Sequence, residues 1–166
     1  MKIGIISDTH DNVPNLEKAL AWMNKHGIEA IIHCGDLCAP AMLINILAPQ
    51  FEGPIHMVFG NVEDRDLLLK KVADFAHVIH YGDQGEATLD GKKIGFVHFP
   101  EIAEEMAKTG KYDFVFYGHT HKPWEETINN TRVVNPGTVA GLFQKATFAT
   151  YDTMTDKLEL KILEKI

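Results

Sequence analysis

Residues 113–124 read DFVFYGHTHKPW, an apolar run that stops at two imidazoles on either side of one threonine. Aromatic and β-branched residues in so short a run suit a buried strand. Imidazoles are costly to leave unpaired at the edge of a core, so His119 and His121 must hold something. The same construction recurs along the chain. KIGIIS (2–7) stops at Asp8-Thr9-His10, EAIIHC (29–34) at Gly35-Asp36, PIHMVF (54–59) at Gly60-Asn61, and KIGFV (93–97) at His98. Five strand-like runs each deliver a metal-capable side chain at the carboxyl end. In open α/β sheets, ligand sites lie just outside those ends. Residues scattered from 8 to 121 are therefore expected to meet in one crevice. The glycines before Asp36, Asn61 and His119 are expected to let the backbone turn sharply there.

The segments between these runs are helical in pattern. In LEKALAWMNKHG (16–27), Leu16, Ala19, Leu20 and Met23 recur at helical spacing and Gly27 supplies a stop. APAMLINILAP (39–49), DRDLLLKKVADF (64–75) and EIAEEMAKTG (101–110) read as further helices. The first half is thus a strand–helix array with a parallel sheet. The second half alternates differently. EATLDGKKIGFVHF (86–99) predicts a hairpin turning at Asp90-Gly91. WEETINNTRVVNPGT (124–138) and KATFATYDTMTDKLELKILE (145–164) predict antiparallel strands joined by polar turns. No linker, repeat or low-complexity segment interrupts residues 1–166, which reads as one α/β domain. The expected fold is a two-sheet sandwich with mixed strands, mostly parallel on one side and antiparallel on the other, flanked by helices.

Composition narrows the function classes. At 166 residues the chain is long enough to bury a sizeable core. Its formal net charge of −7 disfavours a binder of long nucleic acid, which needs a Lys/Arg surplus against phosphates. Only Cys34 and Cys38 are present, too few for a disulfide framework or a structural zinc site, and both are expected to be core-facing thiols. Low disulfide use, a start that runs directly into a strand, and no apolar stretch near the ~20 residues of a membrane span make a cytoplasmic protein the expectation. The Asn129-Asn130-Thr131 sequon then reads as a turn. Trp22 and Trp124 are expected in the core.

The donors at the strand ends are two carboxylates, one amide oxygen and four imidazoles. Such a mixed oxygen and nitrogen set suits Mn2+, Fe2+, Co2+ or Zn2+. Seven donors exceed what one such ion takes and match two ions sharing a carboxylate. Each piece has a plainer reading. Asp8 to His10 could cap the next helix, the Gly-Asp and Gly-Asn pairs could be ordinary turns, and His98 a satisfied strand-end histidine. Five such coincidences in order are what argue against it. His33 and His56 lie in strands leading to these donors and are candidate hydrogen-bonders behind them, with Asp11 and Asn12 weaker candidates. His77 and His80 are expected in packing.

Asp-x-His, Gly-Asp, Gly-Asn, a lone His and Gly-His-x-His, in that order, resemble the calcineurin-like metallophosphoesterase family. The spacings are similar to those of its small bacterial and archaeal phosphodiesterases, from Asp8 to the Asn-Pro-Gly at 135–137. The resemblance implies the αββα metallophosphoesterase fold. It assigns Asp8, His10, Asp36 and His121 to a first metal and Asn61, His98 and His119 to a second, with Asp36 bridging. His10, Asp36 and Asn61 are the implied catalytic residues. It also implies that Asn135 supports a histidine or the substrate. The expected function is hydrolysis of a small phosphodiester by a hydroxide bridging two divalent metals, Mn2+ being the first choice and Ni2+, Fe2+, Co2+ and Zn2+ the others. The expected partners are that substrate and, as dimer or tetramer, further copies of the chain, with no membrane. The alternative is a scaffold of the same fold that binds metal or protein with little catalysis. The sequence departs from the family pattern twice. Val62 stands where many members carry a histidine after Gly-Asn, which leaves no general acid there and turns attention to water or Asp64. Phe99-Pro100 follows the lone His in place of the usual Gly.

Overall fold

A computed structural model describes residues 1–166. Eleven strands form two sheets. The first contains β1 (Lys2–Ile6), β2 (Ala30–His33), β3 (Ile55–Met57), β4 (Val78–His80), β10 (Thr147–Asp152) and β11 (Lys157–Ile162), in the order β11-β10-β1-β2-β3-β4. The second contains β5 (Gln84–Leu89), β6 (Lys92–Val97), β7 (Phe114–Phe116), β8 (Trp124–Ile128) and β9 (Thr131–Asn135), in the order β5-β6-β7-β9-β8. Beyond the exposed Lys2, both faces of β1 and β2 are buried, so these strands are apolar runs, with His33 closing the second, rather than alternating.

The layers follow the side-chain alternation of the strands. Ile3, Ile5, Ile32, Phe96, Phe114, Phe116 and Tyr151 pack between the two sheets. Ile6, Ile31, Ile55 and Met57 face the other way, onto Leu16, Leu20 and Met23 of α1 (Val13–Lys25) and Leu68 of α4 (Arg65–Val72). On the far side, Ala103, Met106 and Ala107 of α5 (Pro100–Lys108) cover Val97, Val115 and Val133. Burial of each large apolar side chain among these contributes about 1.5–3 kcal/mol, and the larger share lies between the first sheet and its helices.

Most predicted elements appear where the pattern puts them, with a few corrections. The second helix is broken into α2 (Pro40–Met42), a π-helical turn (Leu43–Leu47) and α3 (Ala48–Gln50). Pro49 has no N–H for the carbonyl four residues back, and the helix widens just before it. The three-residue strand β4 is too short to show a period. The first sheet is mostly parallel as expected, but the second is mixed rather than antiparallel, with β6, β7 and β9 parallel and β5 and β8 antiparallel at its edges. The C-terminal hairpin joins the first sheet, where β10 runs antiparallel to β1 and fills the edge that β2 leaves open. Trp124 is 49% exposed on edge strand β8, not in the core, while Trp22 packs at the rim of the α1 cluster. The sequon is a turn as expected, with Asn129 and Asn130 both at positive φ. No helix is long and apolar enough to cross a membrane.

Candidate metal centre

The seven residues singled out in the sequence meet at the carboxyl ends of β1, β2, β3, β6 and β7. Five of them, Asp8, His10, Asp36, His119 and His121, have φ between 39° and 67°. Non-glycine residues rarely adopt this left-handed conformation, at a cost of about 1–3 kcal/mol each, and it clusters at functional sites. Backbone bonds hold it in place. Asp8 N–H donates to Gly35 O (3.0 Å) and Thr9 N–H to Asp36 O (3.0 Å), which ties the first loop to the second. His119 N–H donates to Asp8 Oδ2 (3.1 Å), which ties in the GHTH turn. The helix-cap reading of Asp8 to His10 fails, since Asn12 caps α1 by accepting from Asn15 N–H (3.1 Å).

The glycines serve two different purposes. Gly35 turns the chain at φ +91°, as expected. Gly60 and Gly118 are there for space: a Cβ on Gly60 would lie 2.0 Å from Asp36 Oδ1, and one on Gly118 2.0 Å from Ser7 Oγ and 2.7 Å from Asp8 Oδ2. The loops can converge only because these side chains are missing.

The side chains fall into two groups. In the first, Asp8 Oδ1 lies 3.2 Å from His121 Nε2 and 3.7 Å from His10 Nε2, and the two imidazole nitrogens are 3.1 Å apart. In the second, Asn61 Oδ1 lies 3.0 Å from His98 Nε2 and 3.1 Å from His119 Nδ1. Asp36 stands between them, its Oδ2 3.5 Å from His10 Nε2 and its Oδ1 3.4 Å from His98 Nε2. Asp8, His10 and His121 could hold one ion together, as could Asp8, Asp36 and His98. Asp8 Oδ1 is buried and makes no hydrogen bond. A buried carboxylate oxygen without a partner calls for an explanation, and a cation supplies one. The donor chemistry fits divalent first-row ions.

Supporting bonds aim the imidazoles. His98 Nδ1 faces Cys34 O (2.9 Å) and His121 Nδ1 faces Leu142 O (3.2 Å), so each donates there and keeps an Nε2 lone pair for the crevice. His10 Nδ1 faces Cys38 Sγ (3.3 Å) instead. Cys38 is thus beside the site rather than in the core, whereas Cys34 is buried as expected. Burial pushes the Cys38 thiol up to about 12, with neighbouring carboxylates adding to the shift, so the sulfur stays neutral. Burial opposes the ionisation of Asp8, but the neighbouring His10, Ser7, His98 and His121 side chains together outweigh it and hold the carboxyl below its usual range. The adjacent Asp8 carboxylate, with Asp36 and Glu63 adding to it, raises His10 against its burial.

Among the weaker candidates, His33 sits 3.4 Å from Thr9 Oγ1, accepts from Gly35 N–H (3.1 Å), and is pushed down to about 3 by burial, so it is a neutral brace under the first two loops. His56 bonds Tyr81 OH (2.8 Å) and packs by Phe96, away from the crevice. Asp11 accepts from Ala39 N–H (2.8 Å). Asn135 donates to Gly118 O (2.8 Å) and Thr120 Oγ1 (3.0 Å), so it fixes the GHTH turn from behind. Asp64 is spent as the cap of α4. Its neighbour Glu63, missed in the sequence, accepts from Leu37 N–H (3.0 Å) and Gly60 N–H (2.9 Å) and clasps the Asp36 and Asn61 loops. Nothing in the spacing of Glu63 distinguishes it from Asp64.

Residues 1–156 match the model of the calcineurin-like phosphoesterase superfamily domain. A phosphodiesterase of Methanocaldococcus jannaschii is 34% identical over 144 residues, covering 85% of this chain and 86% of that protein. The solved structure of an archaeal phosphodiesterase, 31% identical, superposes with a TM-score of 0.88 over 98% of this chain and 99% of its own. A zinc complex of Vps29 from Entamoeba histolytica shares the fold (TM-score 0.71, 17% identity, 98% and 99% of the two chains). With the family model matched over nearly the whole chain, this protein belongs to the calcineurin-like phosphoesterase superfamily.

Proposed function

We propose that this protein is a phosphodiesterase that hydrolyses a small diester at a pair of divalent ions, Mn2+ being the first choice. Asp8, His10 and His121 hold one ion, Asn61, His98 and His119 the other, and Asp36 both. The observation that carries this reading is the placement of Asp36, with one carboxylate oxygen towards His10 and the other towards His98. When bound, such ions supply hydroxide near neutral pH and offset charge developing on the phosphoryl oxygens. The chain's own residues do the rest. Cys34 O and Leu142 O hold His98 and His121 in the tautomer that presents Nε2. His10 is oriented from both ends, by Cys38 on Nδ1 and by the carboxylates on Nε2. Val62 carries no proton to give, so protonation of the leaving group falls to water or is unnecessary when that group is a good one. The phosphodiesterase activity named for the M. jannaschii relative supports the same assignment.

The test is hydrolysis of bis(4-nitrophenyl) phosphate by metal-stripped protein with Mn2+ restored, beside the monoester. Metal-dependent turnover that favours the diester is expected. Stoichiometric metal binding without turnover by any divalent ion would overturn the proposal in favour of a scaffold.

A further inference from the structure

Around this polar centre the rim is apolar. Val62, next to Asn61, is 45% exposed, and Leu142, whose carbonyl holds His121, is 43% exposed. The Phe99 ring packs 5.0 Å from the His98 ring and 4.9 Å from the His119 ring. Phe143 is 95% exposed, more than any other large apolar side chain of the protein. Two residues after Gly141 (φ +73°), it has φ +62°, an unfavourable conformation for a bulky residue. The bond from His121 to Leu142 O ties this loop to the edge of the crevice, and the solvent-exposed Phe143 is the next residue along it. Nothing within the chain offsets that exposure. Charge offers no substitute for apolar recognition. No Lys or Arg side chain bonds to any of the seven donors, and Arg65, which reaches Gly60 O, is paired with Asp83 at 2.7 Å and lies over the Phe59 ring.

We infer that this rim is a seat for the organic part of the substrate, which is a diester carrying a planar aromatic substituent, an aryl group or a nucleobase, with Phe143 as its stacking face. Phe99 packs on His98 and His119 with Val62 next to Asn61, and Leu142 holds His121 with Phe143 next along the loop, which offers each ester substituent of one diester an apolar wall. The inference rests on the phosphodiesterase reading above and names its substrate class.

The test uses the metal-loaded full chain and two diesters with one leaving group, bis(4-nitrophenyl) phosphate and methyl 4-nitrophenyl phosphate. The wild type is expected to prefer the first. Phe143→Ala is expected to lower that preference roughly 5- to 100-fold, mainly through KM, the range for loss of one stacked ring. Phe143→Tyr should restore it, and Met154→Ala, which removes another highly exposed side chain, should not change it. Calorimetry reads the same effect without turnover, as tighter binding of diphenyl phosphate than of dimethyl phosphate that is lost in Phe143→Ala. If neither diester is hydrolysed, the phosphodiesterase reading fails, and the binding arm still decides whether the rim seats an aryl diester. A wild-type preference in Phe143→Ala, in turnover or in binding, would overturn the inference.

Discussion

The two donor groups of the crevice are built differently. Asp8, His10 and His121 contribute a carboxylate and two imidazoles, and the carboxylate is fully buried with one oxygen unpaired. Asn61, His98 and His119 contribute a neutral amide and two imidazoles, with His119 exposed to solvent. The first group therefore offers a cation one more negative charge in drier surroundings, where charge acts more strongly. The second is more open and less charged. If the proposed pair of ions binds, the first group is expected to hold its ion more tightly than the second.

The largest effect should come from removing the element both groups share. Asp36→Asn is expected to cut kcat/KM by roughly 10³-fold or more, since several kcal/mol of charge stabilisation is lost and each tenfold costs about 1.36 kcal/mol. Steady-state kinetics with metal analysis measures it, and near wild-type turnover would end the bridging assignment. Next come the variants that separate the groups. Asp8→Asn should weaken the tighter metal-binding step in a calorimetric titration, and Asn61→Ala the weaker one. Equal weakening of both steps by Asn61→Ala would erase the asymmetry. A smaller effect is expected from Cys38→Ala, which leaves His10 Nδ1 without its partner. Metal affinity should fall about 10-fold, the low end for a residue that orients a ligand, and Cys38→Ser should recover part of it.

The smallest effect is a pH dependence. In the metal-free protein Asp8 is held below its ordinary value, so its contribution to stability is present above the unfolded carboxylate pKa and is lost as pH falls through the lower folded one. His10 is raised, so its contribution is complete below the unfolded imidazole pKa and is lost as pH rises through the higher folded one. Both operate together only in mildly acidic solution. Metal binding needs His10 without its extra proton. The rise in Tm on adding Mn2+ should therefore be larger near pH 7.5 than near pH 5.5, by a few degrees for a difference of about 1 kcal/mol. A rise that is flat across this range would contradict the coupling of the first group to His10.

Much of this was legible in the sequence. The strand ends name the donors because a parallel strand buried on both faces is a plain apolar run, and a polar residue at its end stands out. The helix over Leu16 to Met23 declares itself by spacing. Edges and most braces were not legible, His33 and Asn135 excepted. The hairpin of β10 and β11 alternates in the same way whichever sheet receives it, and only the open side of β1 decides. Cys38 looks like any small buried residue until its sulfur meets His10. Glu63 and Asp64 are indistinguishable neighbours, one clasping two loops and the other capping a helix. Trp124 reads as core yet lies on a sheet edge, and nothing in the sequence marks Phe143 as exposed on a strained loop.

By itself, then, the sequence determined the layered α/β architecture, the helix faces and the set of polar strand ends, because periodicity and glycine placement are local properties of the chain. Tertiary structure alone decided which oxygen of Asp36 turns to which imidazole, that Gly60 and Gly118 make room rather than turns, and that a polar centre carries an apolar rim. Those facts depend on distances between residues far apart in the chain, and only packing sets them.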